Sequence, residues 1–411
     1  MNLIKTIFFI TLPISIMASD LQDIVKKVQS NEMIESMDYV LKAQTQGRNA
    51  IVANYLPKLK GAYMYQYINE DQRGLFDPEH AVNLEASGVL FDGFRRSESI
   101  MAQNSRIDST KESLAFKKEQ LALNSINLYF NIKTIQANID ARKQKEKQFE
   151  NELTRLERFY QAKVVTKDKV DQVRAALAMT QYEINFLEQN SQELKLSLES
   201  LSGVTIKTLA NATLVDKTVQ EKEQSHELRS LEHEIKALEH EAKTKTAEYW
   251  PSVIAKDTYS LNKYYEGSLP PGLSIPTSTN KLQVVASITL WDTFAKSKER
   301  QVVNMQKQAK KSELAFKKRD TNLKKKFALI KLKTIKSKIS SSEVALEASQ
   351  ESFDFISEQH KANLVDTSIY LDSATKLYDS KSMLEGAKNE YQMALANYYF
   401  YNTIPLMEMI K

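Results

Sequence analysis

The chain alternates between long stretches with helical periodicity and short stretches with strand periodicity. Residues 82–90 and 282–290 place apolar side chains at every second position, which is typical of a strand with one apolar face. Apolar residues in the long stretches recur every three or four positions, as in amphipathic helices. The pattern predicts two copies of one series: a helix, two strands, a very long helix and a second helix. The predicted bounds are about 22–54, 59–69, 81–91, 96–161 and 168–201, then about 224–249, 252–263, 281–291, 296–361 and 366–401.

Short motifs recur at a fixed distance and show that the chain is internally duplicated. The pentapeptide LAFKK at 114–118 returns at 314–318, and the tripeptide KTI at 133–135 returns at 333–335. A repeat of this length is too long for a solenoid and indicates two copies of one large unit. We therefore divide the chain into a first repeat at 19–211 and a second at 212–411.

The predicted strands carry one apolar face at matching positions in both repeats. Strands of about ten residues with this alternation occur in membrane β-barrels. A soluble hairpin packed on helices has the same pattern, so the strands alone do not distinguish a membrane β-barrel from a soluble hairpin. The positions predicted to face lipid are Val82, Leu84, Leu90, Leu282, Val284, Ile288 and Leu290.

The N-terminus favours the interpretation of the strands as part of a membrane β-barrel. Lys5 precedes an apolar run that is too short to span a bilayer as a helix, so residues 1–18 are predicted to be a secretory signal peptide. The long helices point the same way. About 66 residues at 1.5 Å each reach roughly 100 Å, more than a globular core needs and enough for a tube across the periplasm.

Composition excludes several other classes of protein. The chain has 27% charged residues, only 9 Gly and 8 Pro, and a net charge of +5, which does not suggest a nucleic-acid partner. It has no Cys, so disulfides, thiolate metal sites and lipid attachment to an N-terminal Cys are excluded. No catalytic motif is present, and we expect no enzyme activity and no cofactor.

His226, His233 and His240 share a helix face, but neighbours about 10 Å apart cannot share a metal.

Three segments together resemble the TolC-like outer membrane efflux proteins. They are 53–59 (ANYLPKL), 89–96 (VLFDGFRR) and 371–378 (LDSATKLY). The resemblance implies a mainly α-helical chain with a membrane β part: three copies form a 12-stranded β-barrel continued by a periplasmic α-helical barrel. It also implies a location in the outer membrane of a Gram-negative bacterium, with most of the chain in the periplasm. Loops 70–81 and 264–281 would then face outside, and residues 202–223 would form a belt with the C-terminal tail.

The function implied by this resemblance is a passive exit duct. It would serve a tripartite efflux or type I secretion system, together with a periplasmic adaptor protein and an inner-membrane pump of the RND or ABC type. The alternative is a periplasmic structural or adhesive coiled-coil protein without channel activity. That alternative explains the helices and the signal peptide but gives no reason for two strand pairs with an apolar face.

The resemblance assigns adaptor docking to the two helix–helix turns. The family usually carries a left-handed glycine in such a turn, where this chain has Lys163 and Asn363. Ordinary turn packing is the alternative for these residues. The predicted docking residues are Lys163, Val164, Val165, Asn363, Leu364 and Val365.

The same resemblance places a pore constriction at the start of the last helix. Asp372 matches one of two acidic positions of the family, whereas the other is Ile369 here. The predicted gate therefore combines Ile369 and Tyr370 with Asp372 above them and Asp366 near the mouth. The alternatives are an exposed helix carboxylate for Asp372 and an N-cap for Asp366.

Overall fold

A computed structural model describes residues 20–69, 77–217, 224–265, 272 and 274–411. The predicted signal peptide lies outside the described residues, as do parts of both predicted loops. The elements, in order, are α1 (Leu21–Val28), α2 (Glu32–Asn54), β1 (Lys58–Tyr65), β2 (Pro78–Phe91), α3 (Arg95–Gln161), α4 (Lys167–Ser202), α5 (His226–Ala247), β3 (Ser252–Tyr264), β4 (Ser278–Ser287), α6 (Ala295–Lys361), α7 (Thr367–Tyr401) and a 3-10 turn (Leu406–Met409).

The duplication read from the sequence is confirmed by the long helices. α3 and α6 each contain 67 residues and begin 200 positions apart. The first predicted helix differs, because it is broken into α1 and α2 around Asn31. The Asn31 side chain accepts a hydrogen bond from the Ile34 amide at 3.1 Å and donates one to the Leu201 carbonyl at 3.0 Å. A capping side chain of this kind starts a new helix.

The predicted bounds of β1 and β4 are wrong. β1 stops at Tyr65 rather than near 69, and β4 covers Ser278–Ser287 rather than 281–291. Ile288 and Leu290 therefore lie beyond the strand, in the connection to α6, although both side chains are exposed. Apolar residues continue to alternate beyond the last residue that pairs with the neighbouring strand. The sequence pattern therefore does not show where strand pairing ends.

One compact unit comprises Ser36–Leu114 and His226–Arg319 and contains the sheet. Its four strands are antiparallel and follow the order β1-β2-β3-β4. The register aligns Gly61, Leu84 and Tyr259 across three strands, and Leu261 and Val82 in the next row. The predicted apolar positions of β2 and β4 therefore share one face, which Asp257 interrupts.

Each strand pair passes into its long helix through a turn that an aspartate stabilises. Asp92 accepts a hydrogen bond from the Arg96 amide at 2.9 Å, and Asp292 accepts one from the Lys296 amide at 3.0 Å. Both repeats use left-handed backbone here, including φ of 68° at Gly93. The recurring Asp is therefore a helix-capping residue.

We expect Gly93→Ala to destabilise this junction strongly. An added Cβ would overlap the Trp250 side chain and lie 2.6 Å from the Ala247 carbonyl oxygen. Gly203 is the matched control, because its φ is also 68° but a Cβ there meets nothing within 4 Å. Gly203→Ala should cost about 1–2 kcal/mol for the left-handed backbone alone. Thermal unfolding of the purified protein compares the two, and equal losses would contradict the steric argument.

The other compact unit comprises Met1–Glu35, Ala115–Ser225 and Asp320–Lys411. Within it, the segment after α4 pairs with the C-terminal tail: Thr213 and Lys411 exchange backbone hydrogen bonds of 3.2 and 2.8 Å, and the Val215 amide donates to the Met409 carbonyl at 2.9 Å. The two segments expected to form a belt are thus paired.

Among the residues that the structure describes, no helix combines the length and the apolar character needed to cross a bilayer.

Candidate functional site

The turns that join α3 to α4 and α6 to α7 have the same backbone geometry. Lys163 and Asn363 both adopt left-handed backbone, with φ of 60° and 58°. In the first turn the Lys163 amide donates to the Tyr160 carbonyl at 2.9 Å and the Val164 amide to the Phe159 carbonyl at 2.8 Å. The second turn repeats both bonds at 3.0 and 2.9 Å, 200 residues later. This pair of bonds is the Schellman motif, which satisfies the last carbonyls of a helix.

The six predicted docking residues divide into exposed and half-buried positions. Val164 and Leu364 are 61% and 75% exposed, which is high for aliphatic side chains. Val165 packs against the hydrophobic cluster described next, and Val365 is also half-buried. Each turn therefore presents one apolar side chain next to a left-handed residue, while the following valine faces inward.

A hydrophobic cluster contributed by four helices lies beneath these turns. Its buried members are Phe149, Leu156, Val170, Val173, Phe353, Tyr370, Ala374 and Leu377. Tyr370 is only 3% exposed, and its hydroxyl accepts a hydrogen bond from Gln148 Nε2 at 2.7 Å. Burial raises the pKa of Tyr370 to about 12, so it stays neutral. A side chain held in this way cannot line a pore, and we remove Tyr370 from the gate.

Next to Tyr370 lies a buried ion pair between α3 and α6. The His360 ring stacks on Tyr370 with centroids 4.7 Å apart, and His360 Nε2 lies 2.9 Å from Glu152 Oε1. On the other side of the ring, Nδ1 lies 3.3 Å from the Val365 carbonyl oxygen. The ring therefore lies between two hydrogen-bond acceptors, the Glu152 carboxylate and the Val365 carbonyl.

Arg155 completes this ion pair. Its guanidinium donates two hydrogen bonds to Glu152, of 3.0 and 2.9 Å, from one turn along α3. Burial acts to raise the pKa of Glu152, but the hydrogen bonds from His360 and Arg155 outweigh it, and the pKa is lowered. The carboxylate is therefore charged and holds the end of α6 against α3.

The three remaining gate residues are at the surface of α7. Asp366 caps the helix: its carboxylate accepts from the Ser368 amide at 3.0 Å, and Lys169 Nζ lies 3.5 Å away. The Ser368 amide and hydroxyl, followed by Lys169, hold the pKa of Asp366 below its usual value. Ile369 is half exposed. Asp372 is 63% exposed, and its carboxylate lies 2.7 Å from Nζ of the exposed Lys376.

Two of the three histidines on α5 have carboxylate partners on α3. His226 Nδ1 lies 2.7 Å from Glu112, and His240 Nδ1 lies 2.6 Å from Glu98. Among the described residues, no group of three or more His, Cys, Asp or Glu side chains could hold a metal ion. His226 and His240, which the spacing predicts to share a face, thus both contact α3.

A family model described as outer membrane efflux protein matches residues 26–204. These residues cover the first of the two repeats, and the second repeat has the same elements at the same spacing. The first half of the chain is therefore similar to the outer membrane efflux protein family. This similarity agrees with the outer-membrane location and efflux role expected from the sequence, and it does not favour a coiled-coil protein without channel activity. No curated protein sequence matches the chain.

Solved structures match the chain over nearly its whole length. The outer membrane protein VceC of Vibrio cholerae has a TM-score of 0.83 at 11% identity, covering 94% of this chain and 96% of that one. The CmeC outer membrane channel of Campylobacter jejuni has 0.81 at 12%, covering 93% and 85%. The open-state MtrE outer membrane channel of Neisseria gonorrhoeae has 0.76 at 14%, covering 94% and 89%. At these identities the likeness establishes the fold.

Sequence reasoning missed the pair of Glu152 and His360. The two residues are 208 positions apart. Of the two partners of Glu152, only Arg155 is close to it in sequence. A single histidine close to the end of a helix gave no spacing pattern. The available signal was a lone His beside a predicted tight turn, in a repeat whose other copy has Tyr160 at that position.

Proposed function

We propose that the chain is one protomer of a trimeric passive exit duct. The observation that carries this proposal is the four-stranded sheet, whose outer strands β1 and β4 each have one unpaired edge within the described residues. Unpaired backbone groups are too costly in lipid, so strands cross a membrane only in a closed barrel. Four strands are too few to enclose a lumen, whereas three copies supply twelve.

The exposed faces of the strands support the same assembly. Side chains on the apolar face are exposed in the single chain, including Leu59, Tyr63, Leu84, Leu282 and Val284. Lipid would cover them in a membrane barrel, and the tyrosines suit a membrane interface.

The exposed apolar side chains of two helices also call for a neighbouring copy. Monomeric soluble proteins rarely leave such long apolar stripes in water. The exposed side chains in question are Met179, Tyr182, Phe186 and Leu196 on α4, and Phe316, Leu323, Phe327, Ile330, Val344 and Phe355 on α6. We assign these stripes to contacts between protomers in a helical barrel.

Energy for transport comes from partners, in this proposal. The two turns present Val164 and Leu364 outward, and small apolar knobs of this kind suit the hairpin tips of a periplasmic adaptor protein. The adaptor would connect the duct to an inner-membrane pump, driven either by protons or by ATP.

The gate, in this proposal, is formed by three copies of Ile369 and Asp372. Both side chains are exposed on α7, one turn apart. Three-fold symmetry turns each into a ring, and a ring of carboxylates attracts cations. Asp366 serves as the helix cap, and Tyr370 together with the ion pair of Glu152 and His360 holds α7 in position from behind.

Planar-bilayer recording of the purified protein tests the duct and the gate together. We expect a complex with the mass of three chains that conducts ions and is blocked by divalent cations. Asp372→Asn should weaken the block by about tenfold, because it removes the acidic ring. Asp171→Asn is the control, since Asp171 is a similarly exposed carboxylate paired with Arg174 on α4, and its block should be unchanged.

The outcomes separate the two claims. A conducting trimer whose divalent block is the same in Asp372→Asn as in the wild type would remove Asp372 from the gate. A monomer without conductance would overturn the duct itself.

A further inference from the structure

A band of lysines crosses the sheet on the face opposite the apolar one. It consists of Lys58, Lys60, Lys256 and Lys281, with Glu85 among them, and we call it the basic band. All five residues are on strands, and all belong to the compact unit that contains the sheet.

The strand register places the basic band in two adjacent rows. In the first row Lys58 pairs with Ser87, Ser87 with Lys256, and Lys256 with Gln283. In the second row Lys60 pairs with Glu85, Glu85 with Thr258, and Thr258 with Lys281. Successive rows on one face are two residues apart, or about 7 Å. Residues far apart in sequence thus form one continuous strip across all four strands.

Side-chain contacts confirm that the strip lies on one face. Lys256 Nζ is 2.7 Å from Glu85 Oε2, which requires both side chains to point the same way. In the following row Ser260 Oγ donates to Asn83 Oδ1 at 2.6 Å. Leu84 and Leu282 alternate with these residues along the strands and therefore lie on the other face.

The charge in the basic band is uncompensated. Four lysines face one glutamate, which leaves a net charge of +3 per chain in two rows. The next row toward the helices has only apolar residues, and the next row outward is neutral. These flanking residues are Val89, Ile254 and Val285 on one side and Ala62, Asn83, Ser260 and Thr279 on the other.

The other acidic side chain of β2 is too distant to neutralise the band. Glu79 is six residues from Glu85, at the far end of β2. That separation is roughly 20 Å, more than twice the screening length of about 8 Å at physiological salt.

Protection of sheet edges does not account for the basic band. Lysines on edge strands commonly prevent unwanted pairing, and Lys58, Lys60 and Lys281 are on β1 and β4. Lys256 is on β3, which is paired on both sides, and it contributes to the same two rows.

We propose that the basic band lines the lumen of the strand part and concentrates anionic solutes in that part of the duct. This inference rests on the proposed function, because the polar face becomes a lumen only when three copies close. Closure would join the strips into two rings with twelve lysines and three glutamates in all. A ring of fixed charge in a narrow pore raises the local concentration of the opposite ion. The solutes favoured are small molecules that carry carboxylate, phosphate or sulfate groups.

Reversal potentials in a KCl gradient across a planar bilayer test the inference on the full-length protein. The basic band should raise the permeability of chloride relative to potassium, against the cation attraction of the acidic ring at the gate. Lys60→Gln combined with Lys281→Gln removes half of the lysines and should lower the chloride-to-potassium permeability ratio by about threefold or more. The control is Lys263→Gln, since Lys263 pairs with His80 in the row of the apolar face. This variant loses one charge per chain, on the opposite face, and should leave the ratio unchanged.

Cysteine labelling provides a second readout that does not depend on the double variant assembling. The chain has no Cys, so a single introduced thiol is the only target. Lys281→Cys should react with a negatively charged methanethiosulfonate reagent added to the open channel, and the ratio should shift toward potassium. Leu282→Cys, the next residue on the opposite face, should not react.

These measurements distinguish failure of the inference from failure of the duct. Conducting trimers with unchanged selectivity in the lysine variants, or labelling of Leu282→Cys instead of Lys281→Cys, would overturn the basic band alone. Protein that forms no conducting trimer would overturn the duct and this inference with it.

Discussion

Replacing Leu84 and Val284 by arginine should prevent the chain from assembling in the outer membrane. Both side chains belong to the apolar face of the sheet and are exposed in the single chain, on β2 and β4. An arginine on the lipid face near the bilayer centre costs about 2–4 kcal/mol. Three copies would carry six such residues, a cost greater than the whole stability of many domains.

The same strands provide a matched control for this prediction. Asn83→Arg combined with Gln283→Arg adds two charges at adjacent positions, but on the opposite face. An aqueous lumen tolerates these charges, so this variant should reach the outer membrane as a heat-resistant trimer. Fractionation and unheated gel electrophoresis measure both outcomes. Normal assembly of the Leu84→Arg, Val284→Arg variant would show that this face does not contact lipid.

Glu152→Gln should loosen the end of the helical region that carries both turns. The carboxylate is nearly buried and accepts hydrogen bonds from Arg155 and His360. Removing one partner from a buried ion pair costs about 3–5 kcal/mol, because the remaining charges stay unpaired. We expect faster amide hydrogen exchange across the turn between α6 and α7, and a lower free energy of unfolding.

The effect of Glu152 has a defined pH dependence. Its pKa in the folded chain lies below the ordinary value of 4.5, so the folded state favours the charged carboxylate. The stabilisation is therefore complete above pH 4.5 and is lost as the pH falls through the lowered pKa. Wild type and variant should differ most at neutral pH and converge in acid, as thermal unfolding in detergent can measure.

Asp372→Asn is the control for this second prediction. Asp372 is an exposed carboxylate whose ion pair with Lys376 lies at the surface, and such pairs contribute about 0–1 kcal/mol. Hydrogen exchange near the turn should be unchanged in this variant. Equal effects of the two substitutions would mean that the ion pair of Glu152 does not hold α6 in place.

Several parts of the fold were predictable because their signals are local. The long helices were placed within one residue of α3 and α6, since unbroken periodicity with few Gly and Pro defines them. The turns at Lys163 and Asn363 were also predictable, because a helix that reverses direction needs a left-handed residue at its end. The break between α1 and α2 was missed, since Asn31 is fixed partly by the distant Leu201 carbonyl.

The candidate site was predictable only in part, as Tyr370 illustrates. Ile369 is exposed, whereas Tyr370, the next residue along α7, lies inside the hydrophobic cluster. Sequence placed both residues at the start of α7 but did not determine which one faces inward. That choice depends on Phe149 and Phe353, which come from two other helices.

By itself, the sequence determined the duplication, the two long helices, the alternating strands and the positions of the tight turns. Each of these depends on residues that are close together along the chain. Only the tertiary structure decided that His360 pairs with Glu152 and that lysines from three strands form one basic band. These features join residues up to about two hundred positions apart, and strand register and helix packing, which no local pattern encodes, bring them together.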